Sequence, residues 1–126
     1  MIDQSTIMNI PPDLSEKEIE PENVIECIYK LSDLDKEILS ILSDGKELKS
    51  SEIAEKLEKD QSTAYRALEK LLDCGLIYKE KHNIRNGGYY FLYSRRPIKN
   101  IKKETKKYVD HWYEEITDAI DELDEI

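Results

Sequence analysis

Five hydrogen-bonding side chains lie within six consecutive residues, in a segment whose apolar residues recur at helical spacing. The polar residues are Gln61, Ser62, Thr63, Tyr65 and Arg66. The apolar residues, which fall on the other side of a helix, are Ala64, Leu68, Leu71 and Leu72. In the major groove of DNA, arginine matches a guanine edge, glutamine an adenine edge, and serine or threonine a phosphate or a base. The pattern predicts a helix that reads DNA, although ordinary exposed helices carry such residues too.

The segment before this helix contains signals for three further helical stretches. Nothing breaks a helix between Pro21 and Gly45 except a new N-cap at Ser32, which divides the stretch into two helices. A short helix follows, and we expect Ser50 or Ser51 to be its N-cap. The candidate reading helix is therefore the last of a stack of helices close together in sequence.

The pattern changes after the candidate reading helix. Asp60 is its expected N-cap and Gly75 its expected C-terminal stop. Residues 76–81 and 88–93 are rich in β-branched and aromatic side chains, which favour strands. The pair Asn86–Gly87 between them tolerates positive φ, so the sequence predicts a β-hairpin.

This order of elements predicts a winged helix-turn-helix, a mainly α fold with a small β-hairpin and a long C-terminal dimerisation helix. We expect the helix near 60–74 to lie in the major groove, and the wing near 82–88 to contact the flanking backbone or the minor groove. Further candidate DNA contacts are Lys70, Lys81, His82, Arg85, Arg95 and Arg96. For Lys81, protection of an edge strand against aggregation is an equally good explanation.

The charges are segregated along the chain. The formal net charge is −9. Residues 61–107 hold twelve basic and four acidic residues, whereas residues 108–126 hold eight acidic and no basic ones. Because a polyanion responds to the local field, the basic middle favours a nucleic-acid partner despite the acidic average.

The C-terminal segment predicts one long helix. From Ile98 to Leu123 no helix breaker occurs, and such a helix would extend for roughly 39 Å. Because so small a domain cannot cover that length, we expect a homodimer. The predicted interface residues are Tyr108, Trp112, Ile116, Ala119 and Leu123. Lysines precede carboxylates along the helix, which suits antiparallel pairing of two copies and also suits pairing with the acidic N-terminal helix.

The predicted organisation has three parts. Residues 1–20, which contain Pro11 and Pro12, form an N-terminal arm. Residues 21–96 form the DNA-binding winged helix-turn-helix, and residues 97–126 form the dimerisation helix.

Several of these residues together resemble the archaeal TrmB-type transcriptional regulators, which are similar to MarR-type winged helices. The resemblance lies in Ser62–Leu68 (Ser-Thr-Ala-Tyr-Arg-Ala-Leu), Leu71, Gly75–Ile77, Gly87–Tyr93 and Trp112–Glu115. It extends over residues 22–123 and implies a dimeric DNA-binding regulator with the helix from Gln61 in the major groove. It also allows a small-molecule effector of unidentified chemistry. Full-length members add a sugar-sensing domain, and this chain ends after its long helix, so sugar sensing is not expected.

Other classes of function find little support. The sequence has no P-loop, no G-x-G-x-x-G, no G-x-S-x-G and no H-E-x-x-H motif, so we expect no enzyme, no catalytic residues and no cofactor. His111 and Glu115 have a spacing that can bind metal, but a surface ion pair is the better interpretation. Cys27 and Cys74 are expected to be small buried apolar residues. No apolar run spans a membrane and no signal peptide is present, so we expect a cytoplasmic protein without a membrane partner.

The sequence thus predicts a homodimeric, sequence-specific regulator that binds double-stranded DNA. The alternative is a winged helix that contacts other proteins of the transcription machinery through its acidic ends and binds DNA weakly or not at all.

Overall fold

The structure, a computed structural model, describes residues 20–43 and 45–126. The predicted N-terminal arm, residues 1–20, lies outside the described residues except for Glu20. In the described residues five α-helices and one hairpin follow a short 3₁₀ turn at Pro21–Asn23. The helices are α1 (Val24–Tyr29), α2 (Asp33–Ile41), α3 (Ser50–Leu57), α4 (Gln61–Asp73) and α5 (Ile98–Asp121), and the strands, between α4 and α5, are β1 (Ile77–Asn83) and β2 (Tyr89–Arg95).

The chain divides into two compact units. One unit is Leu31–Pro97, which contains α2 to α4 and the hairpin, and the other joins residues 20–30 with Ile98–Ile126. In the first unit the core consists of apolar side chains that are at most 1% exposed: Ile38, Leu42, Ile53, Ala64, Leu68, Leu71, Leu76 and Ile77. They come from all three helices and from the start of the hairpin. Burying one such large aliphatic side chain contributes about 1.5–3 kcal/mol.

Side-chain caps fix where the helices of this unit begin. At α2 the hydroxyl of Ser32 accepts a hydrogen bond from the Asp35 amide (3.1 Å), and the Asp35 carboxylate accepts one from the Ser32 amide (2.9 Å). This reciprocal capping box confirms the division predicted at Ser32. At α3 the predicted cap is wrong. The N-cap is Lys49, whose amide donates to Glu52 (2.9 Å), while Ser50 lies within the first turn.

The hairpin is antiparallel, with Ile77 opposite Arg95 and Asn83 opposite Tyr89. A third extended segment joins it, since Leu48 and Tyr93 exchange two backbone hydrogen bonds (3.0 and 2.8 Å). In the turn the residues with positive φ are Gly87 (107°) and Gly88 (83°). Asn86 is not among them, so the turn uses two glycines rather than the Asn–Gly pair.

The second unit is built from α1 and α5. The Tyr29 ring of α1 stacks on the Tyr108 ring of α5, with centroids 5.6 Å apart and planes 4° from parallel. The Tyr29 hydroxyl is also within hydrogen-bond distance of the Thr105 hydroxyl (2.9 Å), and both residues are buried. Helix α1 ends where Lys30 adopts a left-handed conformation (φ 56°). The short α1 is thus held to the N-terminal half of α5 by this tyrosine.

The observed architecture confirms the predicted fold class. It is mainly helical, with a two-stranded antiparallel wing after a three-helix stack and a long C-terminal helix of roughly 36 Å. None of the helices in the described residues combines the length and apolar character that a membrane span requires.

Candidate nucleic-acid interface

The outer face of α4 carries the side chains predicted to read DNA. Gln61, Ser62 and Arg66 are exposed, and Tyr65 is 47% exposed. The helix has the separation of faces that its sequence predicts: Ala64 and Leu68, which are fully buried, point to the core. The arginine and glutamine are therefore available for a ligand outside the unit.

The N-terminus of α4 is already occupied by a carboxylate. Asp60 accepts hydrogen bonds from the Thr63 amide (2.7 Å) and from the Ser62 hydroxyl (3.1 Å). Hydrogen bonds from Thr63 foremost, then from Ser62, and the nearby charge of Arg66 lower the pKa of Asp60. A phosphate contact by Ser62 or Thr63 would have to compete with this anion, so base edges suit these residues better than phosphate does.

Glu69 links α4 to the wing, and the sequence analysis missed it. The Glu69 side chain, one helical turn from Tyr65, raises the pKa of the Tyr65 phenol, first by hydrogen bonding and then by its charge. The Lys79 ammonium of β1 lies 3.7 Å from Glu69 Oε1, a buried oxygen without a hydrogen-bond partner. Glu69 and Lys79 thus join α4 to one face of the hairpin. No spacing in the sequence indicates this contact, because the two residues lie on different elements.

On that face of the wing, two lysines lie over aromatic rings. The Lys79 ammonium is 4.2 Å from the centre of the Phe91 ring, and the Lys81 ammonium is 4.3 Å from that of Tyr89. The two rings meet edge to face, with centroids 5.4 Å apart. Since Lys81 and Tyr89 are exposed, this lysine–aromatic face offers positive charge along the wing.

The other face and the tip of the wing hold the remaining predicted contacts. His82 stacks on Tyr90 (centroids 5.4 Å apart), and the Lys49 ammonium lies 4.5 Å from the Tyr90 ring centre. His82 Nε2 is 3.1 Å from Glu80 Oε1, although the geometry is not that of a hydrogen bond. Arg85 is exposed in the turn. Of these residues, Arg85 is the best placed for a flanking phosphate.

Three predicted DNA contacts lie in less accessible positions. The Lys70 ammonium is 2.6 Å from Asp35 Oδ2, and the Asp35 side chain is only 3% exposed, so a DNA contact by Lys70 would compete with this ion pair. Arg95 and Arg96 are half-buried, and the Arg96 guanidinium lies 4.7 Å from the Tyr78 ring centre. The two arginines are at the base of the hairpin, about 20 Å from its tip.

The predicted dimer residues do not share one environment. Tyr108 stacks on Tyr29 of its own chain, and Trp112 and Ile116 are half-buried. A second row of apolar residues lies on α5 and just beyond its end; it is exposed over much of its length and repeats at alternating steps of four and three. It consists of Val109 (37% exposed), Tyr113 (66%), Ile116, Ile120 (64%) and Leu123 (58%). We call this row the α5 stripe; Ala119, also exposed, lies beside it.

Histidine and cysteine side chains are the remaining candidates for chemistry. In the described residues no three histidine, cysteine, aspartate or glutamate side chains are grouped so that they could hold a metal ion. His111 Nε2 lies 3.0 Å from Glu115 Oε1, the ion pair favoured by their spacing. Cys27 and Cys74 are both half-buried, and burial is the main cause that raises the pKa of the Cys74 thiol. A raised pKa makes a thiol less reactive.

The fold is that of winged-helix regulators. A solved structure described as a possible transcriptional regulator from Methanosarcina mazei superposes with a TM-score of 0.66 at 22% identity, covering 86% of this chain and 92% of the other. The ST1889 protein from Sulfolobus tokodaii superposes with a TM-score of 0.55 at 23% identity, covering 79% and 93%.

The sequence comparisons define the family. Residues 26–109 match the family described as sugar-specific transcriptional regulator TrmB. An uncharacterized protein of Methanocaldococcus jannaschii is 33% identical over 105 residues, which is 82% of this chain and 78% of that protein. The chain therefore belongs to the TrmB family of transcriptional regulators, and the predicted family is confirmed.

Proposed function

We propose that this chain is a homodimeric transcriptional regulator that binds double-stranded DNA in a sequence-specific manner, with α4 in the major groove and the wing on the flanking backbone or minor groove. The observation that carries the proposal is the contact between Glu69 of α4 and Lys79 of the wing, whose charged groups lie 3.7 Å apart and hold α4 against the lysine–aromatic face of the wing. A helix and a basic ribbon held together in this way form one surface for a duplex.

The roles within this surface follow from exposure and charge. Arg66 and Gln61 are exposed on α4, where a bidentate arginine would select guanine and a glutamine would select adenine. Arg85 and Lys81 on the wing would contribute phosphate contacts, which add affinity without sequence preference. Because the ligand is genomic DNA, we expect the protein to act in the cytoplasm, and family membership leaves room for an effector of unknown chemistry.

We propose that the two copies pair through the α5 stripe. The first half of α5 holds five lysines, and eight carboxylates follow the last of them, Lys107. The α5 stripe lies in this acidic half, so charge does not fix the orientation of the pair. Two-fold pairing of this kind matches an operator with two related half-sites.

Selection of bound fragments from a genomic library by the full chain tests the proposal. The expected result is a set of fragments that share an imperfect palindrome, with affinity that falls steeply as salt is raised. Arg66→Ala should relax the base preference of that motif. Recovery of random fragments, or no binding at low salt, would contradict the proposal and favour the alternative of a protein-contact module.

A further inference from the structure

Resting on the proposed function, we infer that the Asp60 carboxylate, besides capping α4, reads one base position in the major groove and selects cytosine there. Asp60 is exposed and directly precedes Gln61, the first residue of α4. When a reading helix enters the major groove, its N-terminal residues meet the base edges. The carboxylate would therefore lie beside the bases that Gln61 contacts.

The cap fixes the carboxylate through one of its two oxygens. Asp60 Oδ1 accepts hydrogen bonds from the Thr63 amide (2.7 Å) and from the Ser62 hydroxyl (3.1 Å), and Oδ2 takes part in neither bond. Because a carboxylate offers about four acceptor positions, capacity remains at Oδ2 for a donor on a ligand. The two bonds hold the side chain in place before DNA arrives, so little ordering is needed on binding.

The groups at this end of the helix act as acceptors. Hydrogen bonds from Thr63 first, and then from Ser62, lower the pKa of Asp60, so the carboxylate is ionised at neutral pH and has no proton to donate. The Ser62 hydroxyl has one proton, which it donates to Asp60, so its lone pairs are what it can offer to a base.

Cytosine is the base whose edge in the major groove suits such acceptors best. It presents its N4 amino group as a donor and no acceptor. Adenine presents a donor at N6, but its N7 acceptor lies next to that donor and would face the carboxylate. Guanine and thymine present acceptors and no donor there, and a phosphate would be repelled by the negative charge. We therefore expect cytosine first, adenine second, and guanine and thymine last.

Selection from a pool of random duplexes tests the inference with four full-length proteins: wild type, Asp60→Asn, Asp60→Ser and Asp73→Asn. Wild type is expected to show one position per half-site where cytosine exceeds guanine and thymine about tenfold. In Asp60→Asn the amide oxygen can keep the bond from Thr63, and an amino group, which donates, replaces Oδ2. Cytosine, which presents no acceptor, should then become the least selected base at that position. Asp60→Ser keeps a capping oxygen but has no second one, so the preference for cytosine should fall to within about twofold of unity.

The controls separate the inference from the function on which it rests. Asp73→Asn makes the same chemical change in an exposed residue at the other end of α4, about 20 Å away, and should leave the motif unchanged. Asparagine and serine cap helices about as well as aspartate does, so thermal melting should show that all four proteins are folded. Loss of a cap alone would weaken binding to all sequences, but it would not reverse the base preference at one position.

The outcomes are distinct. If wild type selects a motif in which no cytosine position responds to either Asp60 variant, the inference is overturned while the proposed function stands. If wild type selects no motif, both fail.

Discussion

Replacing Lys70 by methionine should destabilise the fold more than any exposed charge removal, because it leaves a buried carboxylate without its cation. Asp35 Oδ2 accepts hydrogen bonds from the Lys70 ammonium (2.6 Å) and from the Ser32 amide (2.9 Å), and the Asp35 side chain is 3% exposed. Methionine keeps most of the aliphatic stem of lysine. The substitution therefore removes the charge with little change in packing.

The magnitude follows from the burial of the two partners. Removing one member of a fully buried ion pair costs about 3–5 kcal/mol. The Lys70 side chain is 41% exposed and Asp35 retains its bond from Ser32, so we expect a loss of about 2–3 kcal/mol in the free energy of unfolding. Asp35→Asn keeps an acceptor for the Ser32 amide and buries no charge, so it should cost only about 1 kcal/mol. Combined with Lys70→Met, it should recover about 1 kcal/mol relative to Lys70→Met alone.

Urea unfolding at neutral pH, followed by circular dichroism, measures these differences. Lys36→Met is the matched control, because Lys36 pairs at 3.3 Å with Asp33, whose side chain is fully exposed, and such pairs contribute about 0–1 kcal/mol. Equal effects of Lys70→Met and Lys36→Met, or a double variant less stable than Lys70→Met, would contradict a stabilising ion pair between Lys70 and Asp35.

Three further outcomes are expected. In competition binding, Arg66→Ala should relax sequence preference. Arg85→Ala should weaken binding to all duplexes alike and reduce the slope of log affinity against log salt concentration by about one. Equal behaviour of the two variants would contradict their assigned roles. In sedimentation at micromolar concentration wild type should be a dimer, and Tyr113→Asp with Ile120→Asp should be monomeric; a monomeric wild type would exclude pairing through the α5 stripe. Hydrogen bonds, chiefly from Thr63, lower the folded-state pKa of Asp60 below 3.8, so the stabilisation that the Asp60 cap gives should be complete above about pH 4 and be lost as pH falls through the lowered pKa. The melting temperatures of wild type and Asp60→Ala should therefore converge in acid. A difference in melting temperature that stays constant with pH would be inconsistent with this cap.

The elements could be predicted where the determining signals are local. Ser32 and Asp60 cap helices through residues three positions away, and Gly75 ends α4 with positive φ, so sequence neighbours are sufficient to place these boundaries. The bridge of Leu48 to Tyr93 has no such signal, because it depends on the arrival of a distant strand. At α3 the reciprocal bond of Glu52 placed the N-cap one residue before the serine predicted for it.

The candidate site could be predicted only in part, because some of its side chains contact residues that are distant in sequence. Helical periodicity is enough to place Gln61 and Arg66 outward. The partners of Lys70 and Glu69 follow from the packing of α4 against α2 and β1, which periodicity does not describe. Tyr108 fits the apolar repeat of α5, but its stacking on Tyr29 could not be read from the repeat. Its contribution to a dimer stays a prediction.

The central claim is that α4 and the wing together bind DNA in a sequence-dependent manner. The most direct test is the dissociation constant of the full chain for its selected duplex and for a scrambled duplex of equal length, measured at several salt concentrations. We expect the selected duplex to be bound at least 10³-fold more tightly, and both affinities to fall steeply with salt. Equal affinities for the two duplexes, or no binding even at low salt, would contradict it.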